Sequence, residues 1–183
     1  MLKSEERLSR KQIYNGRELN LYADQVQKSS GEKINREVVE HSDCVGAVAL
    51  DDQDNVLLVR QFRYAVGKFL LEIPTGGIDA GEELLDSVRR ELQEEIGYLP
   101  KKIKNLAGFY ATPGYDTEYL YCYLATELVP SRLVAEDTED IELVRVPIKR
   151  IPQLIASGEI CDARSIAALL IFLSVKGKMK AGL

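Results

Sequence analysis

The alternation of apolar and polar residues predicts a strand-rich chain that one amphipathic helix interrupts and two further helices close. The dipeptide Asn15-Gly16 joins two alternating segments and is a strong hairpin signal. Residues 44–50 form a short and almost continuous apolar run, which is typical of a buried strand. Further strands are predicted at residues 34–41, 56–62, 69–73, 103–110, 118–125 and 141–146, and helices at 81–96, 151–157 and 163–175. This order of elements predicts an α/β fold in which a mixed sheet lies between helices.

The helix predicted at residues 81–96 has one apolar side and one acidic side. Gly97 follows it as a C-terminal cap, and Pro100 prevents its continuation. The apolar residues recur at helical spacing and are expected to face the core; they are Leu85, Val88, Leu92 and Ile96. On an ideal helix Glu91, Glu94 and Glu95 fall within an arc of about 100° beside that stripe.

The acidic side carries more negative charge than an ordinary solvated helix needs. Residues 79–95 contain seven carboxylates and two arginines. Glu91, Glu94 and Glu95 repel one another by roughly a few tenths of a kcal/mol per pair. A hard divalent cation with oxygen ligands would offset this repulsion. The spacing therefore indicates a metal site, and Mg²⁺ suits it because that ion is usually held by a few carboxylates together with substrate phosphates.

The acidic helix belongs to a longer motif. Gly76 is followed after five residues by Glu82, and after seven more by the run RELQEEIGY, which begins at Arg90 and ends at Tyr98. This pattern resembles the full signature of the Nudix hydrolases, and its one departure is Tyr98, where that family usually has an aliphatic residue. The resemblance implies an α/β/α Nudix sandwich with a mixed sheet over residues 44–183, preceded by a small N-terminal β lobe over residues 1–43.

The resemblance also implies a ligand set for the metal. The acids that bind the catalytic metals in this family match Glu91, Glu94 and Glu95. The family often adds a main-chain carbonyl, which here would be that of Thr75. The implied cofactor is Mg²⁺, with Mn²⁺ as the alternative.

Two further charged residues of the motif are expected to support the metal ligands. Arg90 lies four residues from both Glu94 and Asp86, so it can pair with either of them. Family members that this chain resembles use the matching arginine to hold carboxylates in position. Glu82 lies on the opposite side of an ideal helical wheel but within the first turn, so a supporting or outer metal role is expected for it. Gly76 would let the backbone approach the metal closely.

Several segments resemble the ADP-ribose pyrophosphatase subgroup of the family. One is the run VRQFRYAVGKFLLEIPTGG at residues 59–77, and another is Pro113, which lies 15 residues beyond Tyr98. Arg36 and Glu37 match a pair that, in that subgroup, reaches the substrate from the neighbouring subunit. The positions that the resemblance marks for substrate binding are Arg36, Glu37, Arg63, Pro113, Gly114 and Glu118.

These resemblances imply hydrolysis of ADP-ribose to AMP and ribose 5-phosphate by a homodimer that associates through the N-terminal strands. Arginine suits bidentate phosphate contacts, which agrees with a diphosphate substrate. One alternative is a Nudix hydrolase of another nucleotide sugar, such as GDP-mannose, or of a dinucleotide. Another is a non-catalytic module that binds a nucleotide, although the intact Glu91, Glu94 and Glu95 count against it.

The residue that activates water is expected in the acidic loop at residues 135–140, because the base of the subgroup lies on the matching loop. Glu139 is the choice, since its spacing to the following strand fits the family pattern. Glu136 and Asp137 remain alternatives on the same loop. A base within the motif helix, Glu94 or Glu95, is the mechanistic rival. Any of them must come within hydrogen-bond reach of the attacking water.

Composition and charge narrow the class of protein. With 183 residues, 45% of them hydrophobic, the chain is long enough for one domain with a substantial core. Its net charge of −5 argues against a nucleic-acid backbone or an anionic membrane as the partner. The longest apolar stretch, residues 166–175, is shorter than the about 20 residues that span a bilayer. Residues 1–11 lack the apolar run of a signal peptide.

The cysteines and the histidine narrow the class further. The three cysteines are far apart, which favours free thiols in a reducing cytoplasm. The single histidine, His41, argues against a Ser–His–Asp triad.

Overall fold

The computed structural model of the chain describes residues 4–135 and 140–181. These residues form two compact units, and the chain passes from the first to the second between Asp43 and Cys44. The first unit contains the described residues up to Asp43 together with the segment Tyr110–Tyr119. The second unit contains Cys44–Phe109 and the described residues from Leu120 onwards.

The first unit is an antiparallel sheet of three strands in the order β1-β2-β3. The strands are β1 (Glu6–Asn15), β2 (Leu19–Gln27) and β3 (Lys33–His41). The predicted hairpin forms, but its loop lies one residue later than expected: Asn15 is the last residue of β1, and residues 16–18 make the turn. The Gly16 N–H donates to the Leu19 carbonyl at 3.0 Å. Asp24 is buried in this unit and accepts two hydrogen bonds of 2.9 Å from Arg10. All ten residues of β1 are exposed, so this strand is an open edge.

The segment Tyr110–Tyr119 joins the same unit by pairing with β3. The Val39 N–H donates to the Tyr115 carbonyl at 2.7 Å, and the Thr117 N–H donates to the Val39 carbonyl at 3.1 Å. The rings of Tyr110 and Tyr119 pack edge to face with their centroids 4.9 Å apart. The sequence assigns only residues 1–43 to the lobe and does not anticipate this addition.

The second unit is built on a mixed sheet of seven strands. Its strands are β4 (Cys44–Leu50), β5 (Asn55–Arg63), β6 (Lys68–Glu72), β7 (Thr75–Gly77), β8 (Tyr98–Tyr110), β9 (Tyr119–Pro130) and β10 (Glu142–Pro147). The main order is β10-β5-β4-β9-β8, with β6 paired to β5 and β7 paired to β4. The pair β4–β9 is parallel, whereas β5 runs antiparallel to β4, β6 and β10.

Helices cover both faces of this sheet. They are α1 (Leu84–Glu95), α2 (Ile151–Ala156) and α3 (Ala163–Ala181). Successive strand residues point to opposite faces, so Ala47 packs in the apolar cluster of Val88 on α1, while its neighbour Val48 packs in that of Phe172 on α3. The predicted α/β sandwich with a mixed sheet and a separate small N-terminal sheet is confirmed.

The motif helix differs from its prediction at its start. Gly81 has a φ of +82°, outside the helical region, so α1 begins at Leu84 and not at residue 81. The expectation that Leu85 faces the core is wrong, because its side chain is 41% exposed. Leu84 packs on the core instead, since it lies four residues before Val88 and continues the same line along the helix. Gly97 caps the helix as expected, with a φ of +76°.

Three other elements depart from their predictions, and one of them is α3, which continues to Ala181 instead of ending at residue 175. β8 begins at Tyr98, directly after the cap, rather than at residue 103, and the three-residue strand β7 was not predicted. The apolar run at residues 166–175 is buried on one side only: Leu169 and Phe172 face the core, whereas Leu170 and Val175 are exposed. Within residues 4–135 and 140–181, none of the helices combines the length and apolarity that crossing a membrane requires.

Candidate active site

Glu91, Glu94 and Glu95, here called the acid cluster, project from α1 and are largely shielded from solvent. Strand β7 lies beside them. Gly76 of β7 is so close to Glu91 that a methyl group built on the glycine would overlap the carboxylate. Only glycine therefore lets the strand approach this acid.

A backbone amide of the same strand holds the deepest acid. The Thr75 N–H donates to Glu95 Oε2 at 3.0 Å. Thr75 is itself fixed by its pairing with Gly46 of β4. The sequence expects the carbonyl of Thr75 to be a metal ligand; the contact in this structure is made by the amide, and the role of the carbonyl stays a prediction.

Arg90 binds several carboxylates at once. Its Nε and Nη2 donate to the two oxygens of Glu82 at 3.0 and 2.9 Å. Its Nη1 donates to Glu91 and, at 3.3 Å, to Glu94. Its Nη2 also donates to the Gly77 carbonyl at 2.8 Å. One guanidinium thus ties the helix, the preceding loop and β7 together, which agrees with the supporting role expected for Arg90.

Glu82 lies in the loop before α1 and is engaged by protein groups on both oxygens. Besides its contacts with Arg90, its Oε2 accepts a hydrogen bond of 2.7 Å from the Ser87 hydroxyl. These hydrogen bonds, chiefly those from Arg90, lower the pKa of Glu82 to about 2. Of the two roles expected for Glu82, its contacts favour the supporting one. Asp86, the other possible partner of Arg90, pairs with Arg89 instead.

Burial opposes ionisation of two members of the acid cluster. Burial raises the pKa of Glu95 to about 8, and the charge of Glu91 adds to the effect. Burial also raises the pKa of Glu91, although Arg90 opposes this. Carboxylate oxygens are the donors that hard divalent cations take. The residues present therefore fit a divalent metal ion that Glu91, Glu94 and Glu95 would hold.

Arg63, which the sequence marks for substrate binding, is the last residue of β5 and forms an ion pair within the second unit. Its Nε donates to Glu72 Oε2 at 2.7 Å. Glu72 ends β6 and is only 2% exposed. Burial raises the pKa of Glu72, and the charge of Arg63 opposes the rise. Sequence reasoning missed Glu72, although an acid inside the apolar run FLLEI is a usable signal, since buried acids are rare unless paired.

The other residues marked for the substrate lie in the first unit. Arg36 on β3 donates from Nη2 to Glu5 Oε1 at 2.6 Å, and the adjacent Glu37 is exposed. The remaining ones lie between β8 and β9 and are Pro113, Gly114 and Glu118. The roles of these residues toward a substrate stay predictions.

The predicted base, Glu139, and its alternatives Glu136 and Asp137 lie outside the described residues. Their rivals Glu94 and Glu95 accept hydrogen bonds from Arg90 and from the Thr75 amide, respectively. The choice between these candidates is not decided by the contacts, and the identity of the base stays a prediction.

The chain is similar to known proteins over most of its length. The family model described as NUDIX domain matches residues 40–169. An ADP-ribose pyrophosphatase of Bacillus subtilis (strain 168) is 31% identical over 179 residues, which cover 97% of this chain and 96% of that protein. An ADP-ribose pyrophosphatase of Mycobacterium tuberculosis is 34% identical over 168 residues, which cover 90% of this chain and 81% of that protein.

A solved structure has the same fold. The crystal structure of an ADP compounds hydrolase superposes with a TM-score of 0.88 over 97% of each chain, at 23% sequence identity. Nudix hydrolases use divalent metal ions, which agrees with the donors of the acid cluster. On the family match, the relatives above 30% identity and the complete motif, the chain belongs to the Nudix family of hydrolases.

Proposed function

We propose that the chain hydrolyses the pyrophosphate bond of ADP-ribose and releases AMP and ribose 5-phosphate in a metal-dependent reaction. The observation that carries the proposal is the acid cluster, which Arg90 and β7 hold in a fixed arrangement. Two ADP-ribose pyrophosphatases that resemble the chain over nearly its whole length support the choice of substrate.

The proposed metal is Mg²⁺, with Mn²⁺ as the alternative, held by the acid cluster and by the main chain at Thr75. A bound ion of this kind screens phosphate charge and lowers the pKa of a bound water. The chain's own part is to hold the ligands: Arg90 fixes Glu91 and Glu94, and the Thr75 amide fixes Glu95.

Arg63 is proposed to contact the diphosphate. Its guanidinium is partly open to solvent, and its pairing with Glu72 uses only Nε. Planar guanidinium groups suit phosphate oxygens because they donate two parallel hydrogen bonds. The subgroup pattern further supports roles for Glu118, for the turn at Pro113-Gly114, and for Arg36 and Glu37 of a neighbouring subunit.

Glu139 is proposed as the general base that takes the proton of the attacking water. A side chain on a loop suits this role, since catalytic groups are often carried by loops on a rigid scaffold. The alternatives are Glu136 and Asp137 in the same segment, and Glu94 and Glu95 on the motif helix.

A homodimer through the N-terminal strands is part of the proposal. Every residue of β1 is exposed, and these residues include the apolar Leu8, Ile13 and Tyr14. A second copy would cover this open edge, and a small three-stranded sheet gains stability from such packing. We expect a dimeric mass by light scattering at micromolar concentration and a monomeric mass for Ile13→Asp. A wild-type monomer under the same conditions would contradict the dimer.

The chain is proposed to act on small molecules in a reducing cytoplasm. Three cysteines without disulfide bonds support the compartment. The net charge of −5 opposes a nucleic-acid or anionic membrane partner.

The function is tested with purified protein and Mg²⁺. Separate incubations contain ADP-ribose, GDP-mannose, NADH or a diadenosine polyphosphate, and the products are followed by chromatography. We expect the fastest turnover with ADP-ribose. Faster turnover of GDP-mannose would replace the substrate, and no turnover of any compound would favour a binding module.

A pair of variants tests the site itself. Glu91→Gln is expected to lower turnover of ADP-ribose by about 10²-fold, because it removes a charged ligand. Glu83→Gln is the matched control, since this exposed carboxylate lies just before α1 and outside the acid cluster. Near-normal turnover in Glu91→Gln would contradict the metal site.

A further inference from the structure

Glu72 is an acid in a place where an apolar residue would serve the fold. Its neighbours Leu71 and Ile73 are buried in the core, and Glu72 itself is 2% exposed. A carboxylate buried to this extent loses its hydration and needs a partner to offset the loss. Its Oε2 accepts the hydrogen bond of 2.7 Å from Arg63 Nε. Packing alone therefore does not explain why an ion pair of Glu72 and Arg63 occupies this position.

The strand register explains what the pair does to Arg63. Glu72 pairs with Val59, whereas Arg63 pairs with Lys68 at the far end of the β5–β6 hairpin. Arg63 and Val59 are four residues apart, so their side chains share one face of the sheet, and an ideal extended strand would place their Cα atoms at most about 13 Å apart. An arginine at the end of a hairpin would ordinarily extend into solvent. Glu72 instead draws the guanidinium back along the strand.

The face that Arg63 shares with Val59 is the face of the acid cluster. Val59 packs in the same apolar cluster as Val88 and Leu92 of α1, the helix that carries Glu91 and Glu95. Glu72 also lies three residues before Thr75, whose amide contacts Glu95. The ion pair thus stands on the side of the sheet where the metal ligands project.

We infer that Glu72 is a positioning residue that aims Arg63 at the diphosphate of the substrate. The hydrogen bond between them uses Nε and leaves the terminal Nη1 and Nη2 groups for two phosphate oxygens. The inference rests on the proposed function, since it takes the substrate to be a diphosphate bound at the acid cluster. It predicts that Glu72 acts on substrate binding only through Arg63.

A double-mutant cycle tests this dependence. Glu72→Leu keeps the volume and removes the acceptor, and Arg63→Ala removes the guanidinium. We expect each single variant to raise the KM for ADP-ribose about tenfold while kcat changes much less, and the double variant to be no worse than Arg63→Ala. Glu72→Gln keeps an acceptor oxygen and is expected to restore part of the affinity. Equal effects of Glu72→Leu with and without Arg63 would overturn the inference, as would an unchanged KM.

Control measurements distinguish a specific effect on substrate binding from a loss of folding and from the removal of any surface carboxylate. Thermal denaturation by circular dichroism checks each variant, and Glu72→Gln alone carries the cycle if Glu72→Leu does not fold. Glu159→Gln removes another carboxylate that pairs with a strand arginine, Arg60 at 3.6 Å, and is expected to leave KM unchanged.

The same double-mutant cycle is repeated by calorimetry, which measures the affinity of each variant for pyrophosphate in the presence of Mg²⁺ and does not depend on hydrolysis of ADP-ribose. Weaker binding in both single variants, with no further loss in the double variant, would support the inference whichever nucleotide sugar the enzyme prefers. If wild-type protein fails to hydrolyse ADP-ribose, the proposed function fails and the pyrophosphate cycle still decides the role of Glu72. Equal pyrophosphate affinity in all variants would overturn that role alone.

Discussion

The geometry of the site makes a specific prediction for the substitution Gly76→Ala. The added methyl group would overlap the carboxylate of Glu91. The backbone at Gly76 does not adopt a left-handed φ, so alanine is compatible with its conformation. The overlap involves the end of a flexible side chain, which can turn away. The substitution should therefore displace Glu91 while leaving the fold intact.

The expected magnitudes follow because the substitution displaces Glu91 but does not disturb the fold. Relieving the overlap requires the carboxylate to move on the order of 1 Å, whereas metal–ligand distances tolerate only about 0.2 Å. A misplacement of about 1 Å at a reacting centre costs on the order of 10²-fold in rate. We therefore expect Mn²⁺ affinity and kcat/KM to fall by about 10–100-fold. The free energy of unfolding of the metal-free protein should change by less than about 1 kcal/mol, because replacing glycine also restricts the unfolded chain.

Gly77→Ala is the matched control for this experiment. A methyl group built on Gly77 meets no atom within 4 Å among the described residues, and its φ is likewise outside the left-handed region. Mn²⁺ binding is measured by calorimetry, hydrolysis by product release and stability by urea denaturation in EDTA. The reasoning is refuted if Gly76→Ala binds Mn²⁺ like the wild type, or if Gly77→Ala loses as much affinity.

Three further changes have expected outcomes. Asp24→Asn removes the buried partner of Arg10 and should lower the free energy of unfolding by about 1–3 kcal/mol at pH 7. Because Arg10 lowers the pKa of Asp24 from its ordinary 3.8, the wild type loses this stabilisation as the pH falls below 3.8, and the deficit in urea denaturation should shrink there; an equal deficit at pH 7 and pH 2 would contradict the assignment. Ser165→Ala removes the buried hydroxyl that accepts the Ile73 N–H at 2.9 Å and should cost about 1–3 kcal/mol in the same assay, whereas Ser157→Ala, at an exposed hydroxyl, should stay within about 0.5 kcal/mol; similar values for the two would argue against a buried tether. Glu139→Gln should lower turnover by about 10²–10⁴-fold with Mn²⁺ affinity unchanged, and near-normal turnover would move the role of base to another residue.

The acid cluster could be predicted because its members lie within one helix. Helical periodicity alone brings Glu91, Glu94 and Glu95 to one side, and the same arithmetic offers Arg90 as their partner. The alternating strands were equally visible, since a period of two residues is a local property. The errors lie at the ends of elements. The apolar periodicity does not fix where the first turn of α1 begins, so it did not show that Leu84, and not Leu85, faces the core.

Features that depend on contacts between distant segments could not be predicted. The sequence indicates that the backbone at Gly76 approaches the metal, but not that Gly76 packs against Glu91, because this contact depends on how β7 lies against α1. The pairing of Tyr110–Tyr119 with β3 joins residues more than 70 positions apart through backbone groups, which carry no residue-specific signal. Glu72 gave a local signal, an acid in an apolar run, but not the identity of its partner.

Two contacts, with the predicted partner Arg90 and with the unpredicted Thr75 amide, explain how the fold holds buried acids that oppose its own stability. Burial raises the pKa of Glu95 to about 8, so the metal-free fold favours a protonated carboxyl at neutral pH, whereas a metal ligand must be ionised. An apolar side chain at this position would pack on the core without that conflict. The Thr75 amide favours the ionised form of Glu95, and the Arg90 guanidinium favours that of Glu91. Thr75 belongs to β7, which pairs with β4, and Arg90 is also held by Glu82 and by the Gly77 carbonyl. These contacts hold the acids in place, and the remaining unfavourable charge is what a divalent cation at the proposed site would neutralise.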